Sequence, residues 1–173
     1  MKVEEAIEKR YACREFKDRQ ISADDLDLLI KAANAAPVAM GDYTQIELIA
    51  VQDSKIIKAI DDACAHAMPM MGDHPTYGAP TLMFICAKPN PDFVMLPYCG
   101  ASCIAENIMI QATDLGLASV YIMAVPTIMH DKADLLELLQ MSEGYLPLVC
   151  VAVGYAENEI DVQKEERLRN KIL

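Results

Sequence analysis

Apolar residues recur along this chain with two spacings, which separate helices from strands. Val3, Ala6 and Ile7 follow the helical period. Residues 81–87 form a continuous apolar run instead, which is typical of a strand buried on both faces. The patterns predict five helices, over residues 2–10, 22–36, 53–66, 98–115 and 131–140, and four strands, over residues 46–52, 81–87, 118–123 and 146–153. This interleaving predicts one α+β or α/β domain in which helices cover a sheet.

Length and hydropathy add a prediction about assembly. A chain of 173 residues is long enough for one domain, spanning 1–173, with a core of its own. The chain is 53% hydrophobic and contains 11 methionines, and its mean hydropathy is +0.15. These values are high for a small monomer, so we expect apolar surface to be buried between subunits or under a ligand.

The charge balance narrows the choice of partners. The chain has 15 Lys and Arg against 26 Asp and Glu, a formal net charge of −11. This balance argues against nucleic acid or an anionic membrane as the main partner. The apolar runs are too short to span a bilayer, and residues 1–16 lack the apolar core of a secretory signal. We therefore expect a cytoplasmic protein.

Cysteine and histidine spacing does not predict a metal site. The six cysteines form no C-x-x-C pair, and Cys86 and Cys150 lie in apolar runs, where a thiol behaves as a small hydrophobe. We expect most of the six to be free core thiols. Cys99 and Cys103 share one helix face and could bind a soft metal together, but no further ligand lies close in sequence. We predict no metal and no disulfide.

Two groups of basic residues stand out in this acidic chain. Arg10 and Arg14 are one turn apart and could bind one anion together, while Lys164 and Arg167 form a second group in the tail. Each group alone could also be an ordinary solvated surface. Both could instead converge on one phosphate.

Motifs for other kinds of chemistry are missing. The glycines do not have the spacing of a dinucleotide-binding or phosphate-binding loop, and no G-x-S-x-G motif occurs. If the chain is an enzyme, we expect a cofactor to carry the chemistry. Residues 35–43, AAPVAMGDY, combine a proline with small residues, so their backbone could lie against a flat ligand.

Five segments, in this order, resemble the nitroreductase family of FMN enzymes, and above all its short members. The segments are KRYACREF, ISADDLDLLIKAANAAPVAMGDY, YGAPTLMFICAK, GASCIAENIMIQATDLGLASVYI and LPLVCVAVGYA. The resemblance covers nearly the whole chain. It implies an α+β fold with a mixed sheet flanked by helices, in an interlocked homodimer that builds two FMN sites from residues of both chains.

The resemblance also implies which N-terminal and C-terminal residues bind FMN. Arg10 corresponds to the arginine that contacts the FMN phosphate, with Tyr11 beside it, and Arg14 corresponds to a basic residue near the flavin pyrimidine ring. Ala12 departs from the family, which often has Ser at this position. In the tail, Lys164 and Arg167 are expected as further phosphate contacts.

Two inner segments complete the expected site. In the family, one stretch of the partner chain lies along the isoalloxazine, and it corresponds to Pro37, Val38, Ala39, Met40 and Gly41. Family backbone amides that meet flavin N5 correspond to residues 121–125, which include Met123 and Ala124, and some members have Glu in place of Met123. Residues 41–45 also depart from the family, which commonly has an Asn followed by Gln-Pro-Trp. This departure affects the choice of substrate.

The resemblance implies an oxidoreductase that uses NAD(P)H to reduce small organic acceptors such as nitroaromatics or quinones. Donor and acceptor would bind in turn at FMN, giving ping-pong kinetics, and no side chain is assigned as catalytic. Three alternatives remain open. One is a non-catalytic FMN-binding or regulatory protein, which the departures at Ala12, 41–45 and Met123 would suit. Another is a flavin-dependent dehalogenase-type member of the same family. The third is a structural dimer without a cofactor, in which Arg10 and Arg14 pair with surface carboxylates.

Overall fold

A computed structural model of the chain describes residues 1–158, 160–161, 164–165 and 171. Its helices in chain order are α1 (Val3–Lys9), α2 (Ala23–Asn34), α3 (Ser54–Ala67), α4 (Leu96–Asp114), α5 (Ala124–Met129) and α6 (Ala133–Leu138). Its strands are β1 (Ile46–Val51), β2 (Thr81–Ala87), β3 (Ala118–Ile122) and β4 (Leu146–Gly154). Short 3-10 turns cover Ala39–Gly41, Tyr43–Gln45 and Pro69–Met71.

Within the described residues, the strands form one sheet in the order β1-β2-β4-β3, and all neighbouring strands are antiparallel. The inner strands β2 and β4 are the most apolar, and every residue of β2 is buried. This burial explains why the sequence of β2 is a continuous apolar run, since both of its faces are covered by helices.

Alternate residues of the strands pack into two cores. On one face, Met83 and Ile85 of β2 pack with α2 and α4, whose buried residues include Leu29 and Ile108. On the other face, Leu82, Phe84 and Cys86 pack with α3, α5 and α6. The result is a layer of helices on each face of the sheet.

One extra residue in β4 interrupts the alternation of its side chains between the two faces of the sheet. Ile85 pairs with Val149, but its neighbour Cys86 pairs with Pro147, so Leu148 is unpaired in a β-bulge. Leu148 and Val149 therefore both belong to the core on the α4 side of the sheet. The bulge also explains how a proline is tolerated in an inner strand.

Most predicted elements are confirmed, and the differences have local causes. All four strands form within one residue of their predicted bounds. α5 was missed, because its six residues, with Pro126 in the first turn, are too short to show a helical period. Inside the described residues, the one parallel pairing is the isolated bridge between Ala12 and Ser119, so the mixed character of the sheet is confined to this bridge.

None of the described helices is long and apolar enough to cross a membrane.

We expect Gly154→Ala to destabilise the fold because the end of β4 has no space for a side chain. A Cβ at Gly154 would lie 2.7 Å from Cδ of Pro80 and 3.1 Å from Cδ1 of Phe16. Such overpacking costs about 1–3 kcal/mol, which urea unfolding would measure. The control is Gly100→Ala within α4, where the nearest atom is the flexible Cδ1 of Ile46 at 3.3 Å. Equal stability of the two variants would contradict this prediction.

Candidate functional site

The segment that carries Arg10 and Arg14 runs from the end of α1 to the edge strand β3. Arg10 caps the C-terminus of α1, and its Nε lies 3.4 Å from Oε1 of Glu106 on α4. Tyr11 is half-buried and Ala12 is exposed. The N–H of Cys13 donates to the carbonyl of Ser119 at 3.0 Å. This bond and the Ala12 bridge fix the course of the segment along β3.

Lys164 reaches the same end of α1. Its Nζ donates to the carbonyl oxygen of Ile7 at 2.6 Å. Ile7 is one turn before Arg10, so the structure brings one residue of the basic tail close to the end of the N-terminal helix. Arg167, the other predicted tail contact, lies outside the described residues.

Arg14 lines a cavity of about 540 Å³, which we name the Arg14 cavity. Arg14 itself is exposed, and its Nη1 donates to the carbonyl oxygen of Ala12 at 3.4 Å. The other lining residues come from the strand-like segment after Arg14, from the turn before β2 and from the tail: Glu15, Phe16, Met71, His74, Tyr77, Gly78 and Glu157. Tyr77 has a φ of 61°, a left-handed conformation that is unfavourable for a residue with a side chain.

A buried carboxylate on α3 holds the turn before β2. Oδ1 of Asp61 accepts the N–H of Thr76 at 2.8 Å, and Oδ2 lies 3.6 Å from Nδ1 of His74. Asp61 is 5% exposed, and this burial raises the pKa of its carboxyl above the ordinary value, against the opposing effect of the Thr76 N–H. The two carboxylate oxygens of Asp61 thus contact the turn at Thr76 and at His74.

The predicted loop at 37–41 lines a different cavity, of about 460 Å³, which we name the loop cavity. Met40 has a φ of 57° and is 95% exposed, and Gly41 has a φ of 67°. Pro37 is exposed, whereas Val38 and Ala39 are half-buried. The loop cavity is lined by this loop, the ends of β1 and β2, and the start of α4: Val38, Ala39, Met40, Asp42, Gln45, Ile46, Ala87, Lys88, Pro89, Asn90, Pro91, Asp92, Leu96, Pro97 and Gly100.

The opposite wall of the loop cavity is a proline-rich segment, 88–97. Oδ1 of Asn90 accepts the N–H groups of Asp92 and Phe93 at 3.1 and 2.9 Å, which closes an Asx turn. This turn projects Phe93, Val94 and Met95 into solvent, with exposed fractions of 67%, 64% and 68%. The segment therefore presents an apolar tip next to the loop cavity.

Charged groups of the loop cavity are held by local hydrogen bonds. The hydroxyl of Thr44 donates to Oδ1 of Asp42 at 2.5 Å and holds the pKa of that carboxyl below its usual value. Lys88 lies over the ring of Tyr145, 5.2 Å from its centre, and the Tyr145 hydroxyl donates to the carbonyl of Thr44 at 2.5 Å. Asp42 and Lys88 thus form one polar edge of this cavity, and Tyr145 supports Lys88 from outside the lining.

The two cavities lie at opposite ends of the sheet. Tyr77 and Gly78 precede β2, where Thr81 pairs with Val153, whereas Ile46 and Ala87 pair with each other at the other end of β2. The separation is roughly 20 Å, the length of a six-residue strand. Within one chain, the structure therefore does not bring the 37–41 loop to Arg14.

The remaining predicted residues lie after β3. Met123 caps the N-terminus of α5, is 47% exposed, and is followed by Ala124 as the first helical residue. β3 runs toward the end of the sheet that carries the loop cavity but stops level with the middle of β2, since Ile122 pairs with Cys150, which pairs with Phe84. Met123 therefore lies at the β3 edge, whereas the loop leads into the β1 edge.

The cysteines and histidines form no metal cluster among the described residues. All six thiols are free, and Cys99 and Cys103 are exposed on α4. Burial raises the pKa of Cys64 to about 11 and that of Cys86 to about 12, so these thiols are inert core residues.

Sequence reasoning missed His74, Tyr77 and Asp61. The spacing of the histidines does not indicate a role for His74, because its carboxylate partner Asp61 is 13 residues away on α3. The glycines and prolines of 72–80 indicated a turn, but no pattern in the sequence indicates which helix such a turn packs against.

Comparison with known proteins links this arrangement to one family. The model of the nitroreductase family matches residues 7–155. A protein of Archaeoglobus fulgidus named as an NADH dehydrogenase/NAD(P)H nitroreductase is 31% identical over 159 residues, covering 90% of this chain and 86% of that protein.

Solved structures agree on the fold. A nitroreductase from Bacteroides fragilis with bound FMN is 26% identical, with a TM-score of 0.81 and coverage of 100% of this chain and 98% of that one. A nitroreductase from Desulfitobacterium hafniense with bound FMN is 19% identical, with a TM-score of 0.87 and coverage of 100% and 99%.

We expect the Asp61 carboxylate to make stability depend on pH in a defined direction. Because burial raises its pKa in the folded state, the native chain takes up this proton before the unfolded chain does as the pH falls. Wild type should therefore gain stability relative to Asp61→Asn as the pH falls from 7 to about 3.5, just below the ordinary pKa of the unfolded carboxyl, by about 1.4 kcal/mol for each unit by which burial raises the pKa.

Urea unfolding of both proteins at several pH values measures this difference. Asp62→Asn is the matched control, since Asp62 is an exposed neighbour that pairs with Lys58 at 2.7 Å. A constant difference between wild type and Asp61→Asn across this range would contradict the prediction.

Proposed function

The chain belongs to the nitroreductase family, and we propose that it is an FMN-dependent oxidoreductase that uses NAD(P)H to reduce small organic acceptors. The observation that carries this proposal is the grouping of Arg10 and Lys164 at the end of α1, in a chain with the fold of FMN-bound nitroreductases. The proposal also includes a homodimer with two shared sites.

The donors at the end of α1 suit the phosphate of FMN. Arg10 uses its Nε toward Glu106, which leaves the two terminal nitrogens of the guanidinium for a bidentate contact with phosphate oxygens. Lys164 brings a second positive charge to the same turn. In a chain with a net charge of −11, such a pair gives a local site for an anion. We assign these two residues to the phosphate.

The 37–41 loop suits the flat ring of FMN. Gly41 has no atoms within 4 Å of the position that a Cβ would take, so the backbone there is open to a ligand. Because this loop and Arg14 lie at opposite ends of the sheet in one chain, a complete site needs the loop of a second copy. This separation supports a homodimer in which each site combines the Arg14 side of one subunit with the loop of the other.

FMN, when bound, supplies the hydride transfer between the nicotinamide donor and the acceptor. The protein supplies binding, orientation and charge. In this assignment Arg14 would place a positive charge near the pyrimidine edge, where negative charge accumulates, which should raise the reduction potential of the bound cofactor. Met123 and Ala124 would place backbone beside the ring. We assign no side chain as a proton donor.

The loop cavity supports an acceptor site beside the ring. Val38, Ala39 and Leu96 give it an apolar lining, and Asp42 and Lys88 give it one polar edge. The exposed side chain of Phe93 lies at the adjoining tip. Such a mixture suits a small aromatic acceptor with polar substituents, as in nitroaromatics and quinones, which would replace the oxidised nicotinamide in a ping-pong cycle.

The first test is the visible spectrum of the purified protein before and after NADH or NADPH is added without oxygen. We expect a bound-flavin spectrum that bleaches with at least one nicotinamide and recovers when a quinone or nitroaromatic is added. A chain that does not bind added FMN contradicts the cofactor assignment. Bound FMN that neither nicotinamide reduces contradicts the oxidoreductase and favours a binding role.

A second test concerns Arg10. We expect Arg10→Ala to weaken FMN binding about 10- to 100-fold, because hydrogen bonds to charged groups contribute about 1.5–3 kcal/mol. Quenching of flavin fluorescence measures the dissociation constant. The control is Lys58→Ala, which removes an equal charge from an exposed i,i+4 pair on α3. Unchanged affinity in Arg10→Ala would overturn the phosphate assignment.

A further inference from the structure

The turn between α3 and β2 concentrates two unfavourable features within a few residues of the Arg14 cavity. Asp61 is a carboxylate with 5% of its surface exposed, and burial of such a group is unfavourable unless it is paired. Tyr77 adopts a left-handed backbone at φ 61°. Costs of this kind persist where the surrounding structure holds them, and they concentrate at functional positions. The turn is therefore a candidate for a role beyond connecting two elements.

Asp61 acts on the turn at two points. One oxygen holds the backbone of Thr76 at 2.8 Å, and the other lies 3.6 Å from the imidazole of His74. The side chain of His74 is otherwise 74% exposed and lines the Arg14 cavity. An imidazole with a carboxylate behind it and an open cavity in front of it can present a proton to a ligand in that cavity.

His74 lines two cavities, and charged side chains from several elements line them with it. The groups that share a cavity with His74 are Arg14, Glu15 and Glu157 on the Arg14 side, and Asp18, Lys58, Asp61, Asp62 and Asp73 on the α3 side. Arg14 is thus the one fixed cation among the described residues of the Arg14 cavity. Protonation of His74 would add a second positive charge to the Arg14 cavity.

We propose that His74, held by Asp61, is the protonation-dependent second cation of the Arg14 cavity and sets how strongly the site favours negative charge on the pyrimidine edge of FMN. The inference rests on the proposed function, which assigns that edge to Arg14. His74 is a positioning and charge-tuning residue here, and no covalent step is assigned to it. At low pH the reduction potential of bound FMN should be more positive than in a variant with a neutral side chain in place of His74.

The test compares the reduction potential of bound FMN at pH 5.5 and pH 8.0, by dye-equilibrated titration, in wild type, His74→Gln and His74→Lys. Gln removes the charge at both pH values, and Lys keeps it at both. We expect wild type to follow His74→Lys at pH 5.5 and His74→Gln at pH 8.0, with the Lys variant more positive in potential than the Gln variant throughout.

Two further variants separate charge from structure. His66→Gln changes an exposed histidine of α3 that does not line the Arg14 cavity, and it should follow wild type at both pH values. Asp61→Asn should bring the reduction potential at pH 5.5 closer to that of His74→Gln, because the imidazole loses the carboxylate that holds it. The Lys variant shows whether charge is restored at pH 8.0, which a merely structural role of His74 would not produce.

The outcomes distinguish this inference from the proposed function. If wild type binds no FMN at either pH, the proposed function fails and this inference fails with it. If FMN binds but wild type, His74→Gln and His74→Lys have the same potential at both pH values, the inference alone is overturned. A potential that is shifted equally in the Gln and Lys variants would also overturn it.

Discussion

Burial of β2 on both faces is the constraint on which the rest of the structure depends. With every residue of β2 buried, helices must cover both sides of the sheet, and the functional segments are left to the two ends of the strands and to the edges. Antiparallel pairing then places the turn before β2 beside the end of β4, and the loop before β1 beside the end of β2. The division of the candidate site between two ends of the sheet follows from this topology.

The fold could be predicted from the sequence to the extent that apolar spacing reports burial. The run at β2 and the helical period of α2 give long, unambiguous signals, and both elements formed as predicted. α5 could not be found, because a six-residue helix spans less than two turns and its period is not defined. The spacing of apolar residues also does not predict the order of the strands in the sheet, since that order depends on which apolar faces meet in space.

The residues of the candidate site are harder to predict from the sequence than the fold is. The ordered resemblance led to Arg10, Arg14 and the loop at 37–41, because those residues lie in short segments that can be recognised one by one. It did not lead to His74, whose relevance depends on a carboxylate of α3 and on a cavity that three separate segments enclose. Contacts between distant segments carry no local signature. The sequence indicated the contact of Lys164 with Ile7 only indirectly, through the hypothesis that two basic groups converge on one phosphate.

The bulge at Leu148 has a consequence for how the length of this chain can change. Leu148 has no partner in β2, and its neighbours Val149 and Pro147 pair with consecutive residues of that strand. The carbonyl oxygen of Pro147 lies 2.7 Å from Nε2 of His130 at the end of α5, so a side-chain contact ties this point of β4 to the helix layer. Loss of Leu148 would leave an uninterrupted ladder in which Leu146 still pairs with Ala87 on the α4 face. A one-residue deletion should therefore be better tolerated here than at the paired positions of the strand, where it would move side chains to the opposite layer.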